Sequence, residues 1–484
     1  MKISRCATSP AVITLSKELL KMTATEAGAA IHEGKVTSVE LTQALLDHAR
    51  ALNEQVNAYI SFREEAALAD AQLADEEISA GNIRGPLHGV PMGIKDNIYI
   101  GGEVSTMASK IHEDFVSEDD ASVVIRMKEA GIVLVGKLNM HEYAWGIDNN
   151  SPHFGPVHNP WDLDKVPGGS SGGSGAAVAS DMSFSTLGTD TAGSIRIPSA
   201  ACGLVGLKPT HGLVAKYGCF PLAWTLDHIG PMSKSVDDAA ALLQVIAGFD
   251  ERDPTSVEVE VGNYQAALRG DPSKLVIGIE EDYFFKDVDS DIEKHVRAQI
   301  DALASQGATV KTVSIPSLAY SEWAELATSL SEASAIHHED LLDRADDFGE
   351  DIRFLFELGE LFSSVDYLQA QQIRRRIKQD FAKALEDVDV IIAPTLPVMP
   401  PNIGSSVADL NGEEVDLIDN FIRFTGPSNL TGLPALTVPV GVKNGLPIGL
   451  QIIGRAFGEE TVLNVGSIIE AGNPMEGKRA PTGA

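Results

Sequence analysis

Residues 167–198 read PGGSSGGSGAAVASDMSFSTLGTDTAGSIRIP, the most unusual stretch of composition in the chain. Glycine and serine interleave through residues 168–175, and the small apolar run Ala176 to Ala179 follows directly. Flexible linkers use the same residues, but they do not lead into a segment that can pack closely as a helix. The stretch therefore predicts a loop that opens a packed helix, rather than a connection between domains.

Helical and strand patterns alternate on both sides of this stretch. Thr37 and Glu40 form a capping box at the start of one N-terminal helix. Further helices are predicted over residues 62–79, 120–130, 236–248, 290–305, 317–342 and 366–386, and buried strands over 132–135, 275–279, 309–313, 388–392 and 436–440. The alternation predicts one large α/β domain, a mixed twisted β-sheet covered on both faces by helices. We expect an N-terminal extension over residues 1–20, the domain over 21–475 and a tail over 476–484.

The composition excludes several classes of function. The chain has 484 residues and a formal net charge of −32, which repels phosphate backbones and anionic membrane surfaces. Its longest apolar runs are far shorter than the ~20 residues that cross a bilayer. We therefore expect no nucleic-acid partner and no membrane association. Three cysteines in a chain of this length do not form a disulfide framework, so a reducing compartment, the cytoplasm, is expected.

A glycine-rich loop at a helix start suits a phosphate, a carboxylate or a developing oxyanion. The loop lacks the lysine that ends a Walker motif and the acidic residue that reads a ribose, so nucleotide binding is disfavoured. Residues 169–173 also fit the nucleophile-elbow pattern, with Ser171 as the attacking group. That elbow follows a buried strand, whereas the residues before this loop are polar and end in Pro167. The pattern match alone therefore carries little weight.

Three separated segments together resemble the amidase signature family: residues 89–97 (GVPMGIKDN), 168–174 (GGSSGGS) and 188–198 (GTDTAGSIRIP). Ser194 follows Ser170 by 24 residues, and Lys95 precedes Ser170 by 75, which are the spacings of that family's pattern. Segments over residues 159–162, 203–210, 226–231 and 429–435 are also similar to the family, so the resemblance covers about residues 25–470.

The resemblance implies a triad in which Ser194 is the nucleophile. Ser170, held by a cis peptide bond, relays the proton of Ser194 to Lys95. A serine hydroxyl is a weak nucleophile until a base removes its proton. Lys95 has to be neutral to act as that base, and its neighbours Met92 and Ile94 are apolar. Burial disfavours the charged form of a lysine, so a buried Lys95 can accept a proton near neutral pH.

The resemblance also implies supporting groups around Ser194. The oxyanion would be held by the backbone N–H groups of Thr191, Ala192, Gly193 and Ser194. Ser171, Asp190 and Arg196 would hold the loop in place. No metal and no cofactor is implied. The tempting metal cluster, residues 337–340 (HHED), is interpreted as a solvated helix face, because adjacent histidines point in different directions on a helix. Cys202 is expected to be a buried structural thiol.

The implied reaction is hydrolysis of a carboxylic amide to an acid plus ammonia or an amine, through an acyl-Ser194 intermediate. An ester or a hydrazide fits the same chemistry. The main expectation is a stand-alone amidase for a small-molecule amide, with no partner beyond a second copy of the chain. The alternative is the glutamine-hydrolysing A subunit of a tRNA-dependent amidotransferase, from whose pattern residues 140–146 (MHEYAWG) depart at His141 and Trp145. Four aromatic residues are candidates for the substrate pocket: Tyr143, Trp145, Phe154 and Trp224.

Overall fold

The computed structural model describes residues 18–472, 474–475 and 477–483. Most of the expected N-terminal extension, residues 1–17, lies outside the described residues, as do two residues of the expected tail, 476 and 484. The domain boundaries at residues 20/21 and 475/476 therefore stay predictions. None of the helices in the described part of the chain combines the length and apolar character needed to span a membrane.

The strands and helices alternate along the chain. The strands are β1 Tyr59–Phe62, β2 Pro91–Lys95, β3 Val133–Leu138, β4 Asn150–Ser151, β5 Gly155–Pro156, β6 Ser185–Asp190, β7 Val205–Lys208, β8 His228–Ser233, β9 Val276–Ile279, β10 Thr309–Thr312, β11 Val390–Pro394, β12 Val407–Leu410, β13 Glu413–Asp416, β14 Ala435–Lys443 and β15 Leu446–Gly454. The helices are α1 Ala24–His32, α2 Ser38–Val56, α3 Glu64–Ser79, α4 Ser122–Glu129, α5 Gly172–Ala179, α6 Arg196–Cys202, α7 Val236–Ile246, α8 Glu281–Phe284, α9 Ser290–Ser305, α10 Ser321–Asp343, α11 Glu350–Gly359, α12 Ser364–Ala384, α13 Leu417–Arg423, α14 Gly426–Thr431 and α15 Glu459–Ala471. Short 3₁₀ turns lie at Glu142–Ala144, Pro272–Lys274, Pro316–Tyr320 and Ala345–Asp347.

One large mixed sheet forms the centre of the molecule, which confirms the predicted single α/β domain. Within the described residues, eleven strands pair in the order β1-β3-β2-β6-β8-β7-β14-β15-β11-β9-β10. Strands β2, β6, β8 and β15 are buried at every residue, because helices cover both faces of the sheet. Strand β2 pairs in parallel with both β3 and β6, so the carboxyl ends of these three strands meet at one edge.

The predicted elements agree with the structure where their patterns are strong. The Thr37–Glu40 capping box is present at the start of α2, where the Thr37 hydroxyl accepts from the Glu40 N–H. The strand predicted over residues 309–313 exists as β10, but the prediction that it is buried is wrong. Strand β10 lies at the sheet edge and all four of its residues are exposed. Edge strands bury less surface than central ones, and the polar residues of β10 face solvent.

The glycine- and serine-rich stretch folds as predicted, as a loop that opens a helix. Helix α5 is buried over residues 172–178 and lies against the central strands β2 and β6. A side chain at Gly173 would collide with the backbone, because a Cβ there would lie 2.2 Å from the carbonyl oxygen of Asn139. Glycine at this position therefore allows the helix start to approach the end of β3 closely.

Candidate active site

Lys95 and Ser170 meet at the edge where the parallel strands end. Lys95 is the last residue of β2 and is fully buried. Its Nζ donates to the Ser170 Oγ at 2.8 Å and to the Thr189 Oγ1 at 2.7 Å. Thr189 lies near the end of the neighbouring strand β6. The parallel pairing of β2 with β6 thus brings two segments together that are about a hundred residues apart in sequence.

The environment of Lys95 favours its neutral form. Burial lowers the pKa of Lys95 to about 7, against the weaker opposing effects of Cys219, Asp190 and Asp227. Hydroxyl groups, rather than a carboxylate, are its hydrogen-bond partners. A lysine in this setting exchanges a proton with its serine partner near neutral pH.

Ser170 and Ser171 are fixed by the backbone around them. The peptide bond between Gly169 and Ser170 is cis. The carbonyl oxygen of Ser170 accepts from the N–H of His141 at 3.0 Å. The Ser171 hydroxyl donates to the carbonyl oxygen of Thr189 at 3.1 Å and accepts from its N–H at 3.3 Å. Ser171 therefore ties the start of α5 to the strand that carries the acceptor of Lys95.

Ser194 lies in the loop of residues 191–194 that joins β6 to α6. Its side chain is 8% exposed and faces a cavity that Thr191 and Ala192 also line. Gly193 has a φ of 138°, and a Cβ there would lie 2.3 Å from the Thr425 Oγ1. In the described part of the chain, no hydrogen bond occupies the N–H groups of residues 191–194. These amides are therefore available to an incoming oxyanion.

The Ser170 and Ser194 hydroxyls share no hydrogen bond in the described residues. Their direct contact therefore stays a prediction. Hydrogen bonds of this kind are often long before substrate binds and tighten in the complex. The loop that carries Ser194 is held from the other side, because the Thr425 Oγ1 donates to the carbonyl oxygen of Ala192 at 2.5 Å.

Asp190 and Arg196 form a fully buried ion pair beneath this loop. The Arg196 Nη2 donates to the Asp190 Oδ1 at 2.9 Å and the Nε to Oδ2 at 3.0 Å. The remaining Arg196 donors reach the Thr425 carbonyl oxygen, Ser428 and Asn429. Burial alone would raise the pKa of Asp190, but the charge and hydrogen bonds of Arg196 hold it below its usual value. This network joins the two ends of the Ser194 loop to α14.

The cavity beside Ser194 has a volume of about 750 Å³ and mostly apolar walls. Its charged lining residues are mainly acidic: Asp148, Glu325, Glu350, Asp351 and Asp416. The one basic side chain among the described lining residues is His141. Its ring nitrogens lie 3.1 Å from Asp148 and 3.0 Å from Asp351.

The four aromatic residues predicted for the pocket separate in the structure. Trp145 lines the cavity beside Ser194. Tyr143 is instead buried in an aromatic cluster, where its hydroxyl is 2.6 Å from His112 Nδ1. Phe154 packs against the edge of the same cluster. Trp224 is 43% exposed and lines a second cavity of about 320 Å³. Three of the four thus lie outside the Ser194 cavity, because spacing in sequence does not tell which face of a loop points inward.

The histidine cluster on α10 also differs from its interpretation as a solvated face. His338 is exposed, but His337 is buried and stacks on Phe356 with ring centroids 4.3 Å apart. The described residues include no group of three or more histidine, cysteine, aspartate or glutamate side chains arranged to hold a metal ion. Cys202 is a buried free thiol, and burial raises its pKa, as expected for a structural residue.

Sequence reasoning missed two residues of the site. Thr189 accepts from Lys95, although only the strand pairing reveals this. Glu325 lines the Ser194 cavity with a buried carboxyl group. The signal for Glu325 was present in the sequence as a charged residue between the apolar positions Ala324 and Ala327 of a predicted helix.

Comparison with known proteins gives one consistent result. A family model described as Amidase matches residues 40–463. A curated relative from Roseiflexus sp. (strain RS-1), named as the A subunit of glutamyl-tRNA(Gln) amidotransferase, is 43% identical over 93% of this chain and 96% of its own length. The crystal structure of the corresponding protein from Thermotoga maritima, which carries the same name, is 36% identical, with a TM-score of 0.78, over 93% of this chain and 94% of that one.

A further solved structure has a higher TM-score. It is described as a vestigial protein complex that reveals the evolutionary origins of an s-triazine catabolic enzyme. It is 31% identical, with a TM-score of 0.89, over 93% of this chain and 98% of that one.

These relatives contradict the expectation about partners. We expected a small-molecule amide as substrate, no nucleic acid, and at most a second copy of the chain as partner. The full-length curated relatives are named as one component of an amidotransferase, and the name includes a charged tRNA. The net charge misled this prediction, because one component of an assembly does not itself need a basic surface for tRNA.

Proposed function

Because the chain belongs to the amidase family and is an amidase acting on C–N amide bonds, we propose that it is the glutamine-hydrolysing A subunit of an amidotransferase that acts on glutamyl-tRNA(Gln). The observation that carries this proposal is the 43% identity to a curated protein of that name over nearly the whole of both chains. The match extends over the sheet, the Ser194 loop and the helices that line the cavity, rather than over a short motif.

In the proposed reaction, Ser194 attacks the side-chain amide carbon of glutamine. Its proton passes through the Ser170 hydroxyl to neutral Lys95, in line with the 2.8 Å contact between Lys95 and Ser170. The carbonyl oxygen takes the negative charge and is held by the amides of residues 191–194. The C–N bond then breaks, the nitrogen takes the proton back from Ser170, and ammonia leaves. Water next attacks the glutamyl ester by the same relay and releases glutamate.

The supporting groups have positioning roles in this proposal. Asp190 and Arg196 hold the two ends of the loop that carries Ser194, and Ser171 holds the start of α5 against β6. The ammonia is consumed by the partner subunits on glutamyl-tRNA(Gln). We place the protein in the cytoplasm, in line with this role and with its free thiols.

The test measures ammonia release from glutamine by the chain alone and with the other components of its assembly, beside Ser194→Ala. The substitution should lower kcat by about a thousandfold or more. Ser199→Ala is the matched control, because Ser199 lies one turn further on and its buried hydroxyl has no hydrogen-bond partner among the described residues. Full activity in Ser194→Ala would reject the nucleophile. Hydrolysis of aliphatic amides but not of glutamine, with the partner subunits present, would reject the substrate.

A further inference from the structure

Glu325 is a buried carboxyl group that the hydrolytic mechanism does not use. It lies on the first turns of α10 and is 3% exposed, yet it lines the cavity beside Ser194. Its Oε1 accepts from the Ser329 Oγ at 3.2 Å. Its Oε2 is buried and has no hydrogen-bond partner among the described residues. An unpartnered buried carboxyl oxygen is costly, so its retention calls for a ligand.

The position of Glu325 connects it to the reacting loop. A Cβ built at Gly426 would lie 3.8 Å from the Glu325 Oε2, so the carboxyl group packs against the start of α14. The preceding residue, Thr425, donates its hydroxyl to the carbonyl oxygen of Ala192. Glu325 thus faces the same space as the loop of residues 191–194, on the side where the acyl part of a substrate lies.

The charges of the cavity define the ligand. Four further acidic residues line it, and its one basic side chain among the described residues, His141, is already paired with Asp148 and Asp351. An ammonium group gains from these acidic side chains, whereas a second carboxylate is repelled. The apolar walls exclude water from around Glu325, which strengthens a direct contact with a cation.

We propose that the Glu325 carboxylate binds an ammonium group on the acyl part of the substrate and so selects amides that carry one. The inference rests on the proposed function, in which the ammonium is the α-amino group of glutamine. Glu325 is a binding residue in this scheme and takes no part in the transfer of protons to the leaving nitrogen.

The protonation of Glu325 couples to this binding. Burial raises the pKa of Glu325 to about 8, against the lowering effects of Arg374 on α12, Ser329 and Arg196, while Asp190 adds to the rise. The empty site therefore holds a proton at neutral pH. An arriving ammonium group favours the carboxylate, so binding releases a proton. We expect the KM for an ammonium-bearing amide to fall as the pH rises from about 6 to 8.

The test uses two pairs of amides that differ in one amino group, with Glu325→Gln as the variant. The pairs are glutamine with 4-carbamoylbutanoate, and 5-aminopentanamide with pentanamide. Glu325→Gln should raise the KM of each amino-bearing amide about tenfold and leave the kcat and the amino-free partners nearly unchanged. The matched control is Glu322→Gln, an exposed carboxylate one turn earlier on α10 that does not line the cavity.

Binding is measured as well, by calorimetry of 5-aminopentanamide with Ser194→Ala protein in two buffers of different ionisation enthalpy. Proton release should be present with Glu325 and lost with Glu325→Gln, which a purely structural role would not produce. Equal losses for amino-bearing and amino-free amides, or no ammonium-dependent binding, would overturn the inference. Failure on glutamine alone, with the aminopentanamide pair behaving as expected, would reject the proposed function and leave Glu325 as the ammonium site.

Discussion

The lowered pKa of Lys95 predicts how activity depends on pH. Burial lowers that pKa from 10.5 to about 7. At pH 7.5 this raises the neutral fraction of Lys95 from about one in a thousand to about three quarters, by the ordinary titration relation. We therefore expect kcat/KM for the amino-free amide pentanamide to rise with pH and level off above about 7. Lys95→Arg, which stays protonated, should remove nearly all activity while the protein remains folded.

The same shift predicts a change in stability that does not depend on any substrate. Between pH 7 and 10 the unfolded chain holds a proton on Lys95 that the folded protein has lost. Stability therefore rises with pH over this window relative to Lys95→Met, which has no titrating group. The difference in free energy of unfolding between the two proteins should grow by up to about 1.4 kcal/mol per pH unit.

Urea unfolding from pH 6 to 10, followed by tryptophan fluorescence, measures this difference. Other buried titratable groups, such as Lys137 and Lys208, are present in both proteins and cancel. A difference that stays flat between pH 7 and 10, together with activity that persists unchanged below pH 6, would refute the reasoning that burial makes Lys95 a base.

Three further predictions follow from the packing around the site. Arg196→Met leaves Asp190 buried without its counter-charge and should cost about 3–5 kcal/mol in urea unfolding, and Asp190→Asn in the same chain should recover part of that loss. Gly193→Ala places a Cβ against a threonine hydroxyl and should lower kcat at least about tenfold, and unchanged kinetics would show that the loop adapts freely. Trp145→Ala should raise the KM of the substrate, whereas Tyr143→Phe should cost about 1 kcal/mol of stability and leave the KM alone.

The sequence by itself determined the fold class and the chemistry of the reacting groups. The alternation of helices and strands predicts the mixed sheet, because apolar periodicity reflects which face of each element is buried. The spacing of Lys95, Ser170 and Ser194 carries the resemblance to the amidase signature family, and the structure places Lys95 against Ser170. These features are local or depend on fixed distances along the chain, so they can be read without knowing the fold.

The tertiary structure alone decided which side chains surround the reacting groups. Thr189 reaches Lys95 because β2 and β6 pair in parallel. Glu325 enters the Ser194 cavity from a helix more than a hundred residues further along the chain. Tyr143 and Trp145 are two residues apart, yet one is in an aromatic core and the other lines the cavity. Burial and the direction of a side chain depend on contacts between distant segments, and those contacts have no local signature in the sequence.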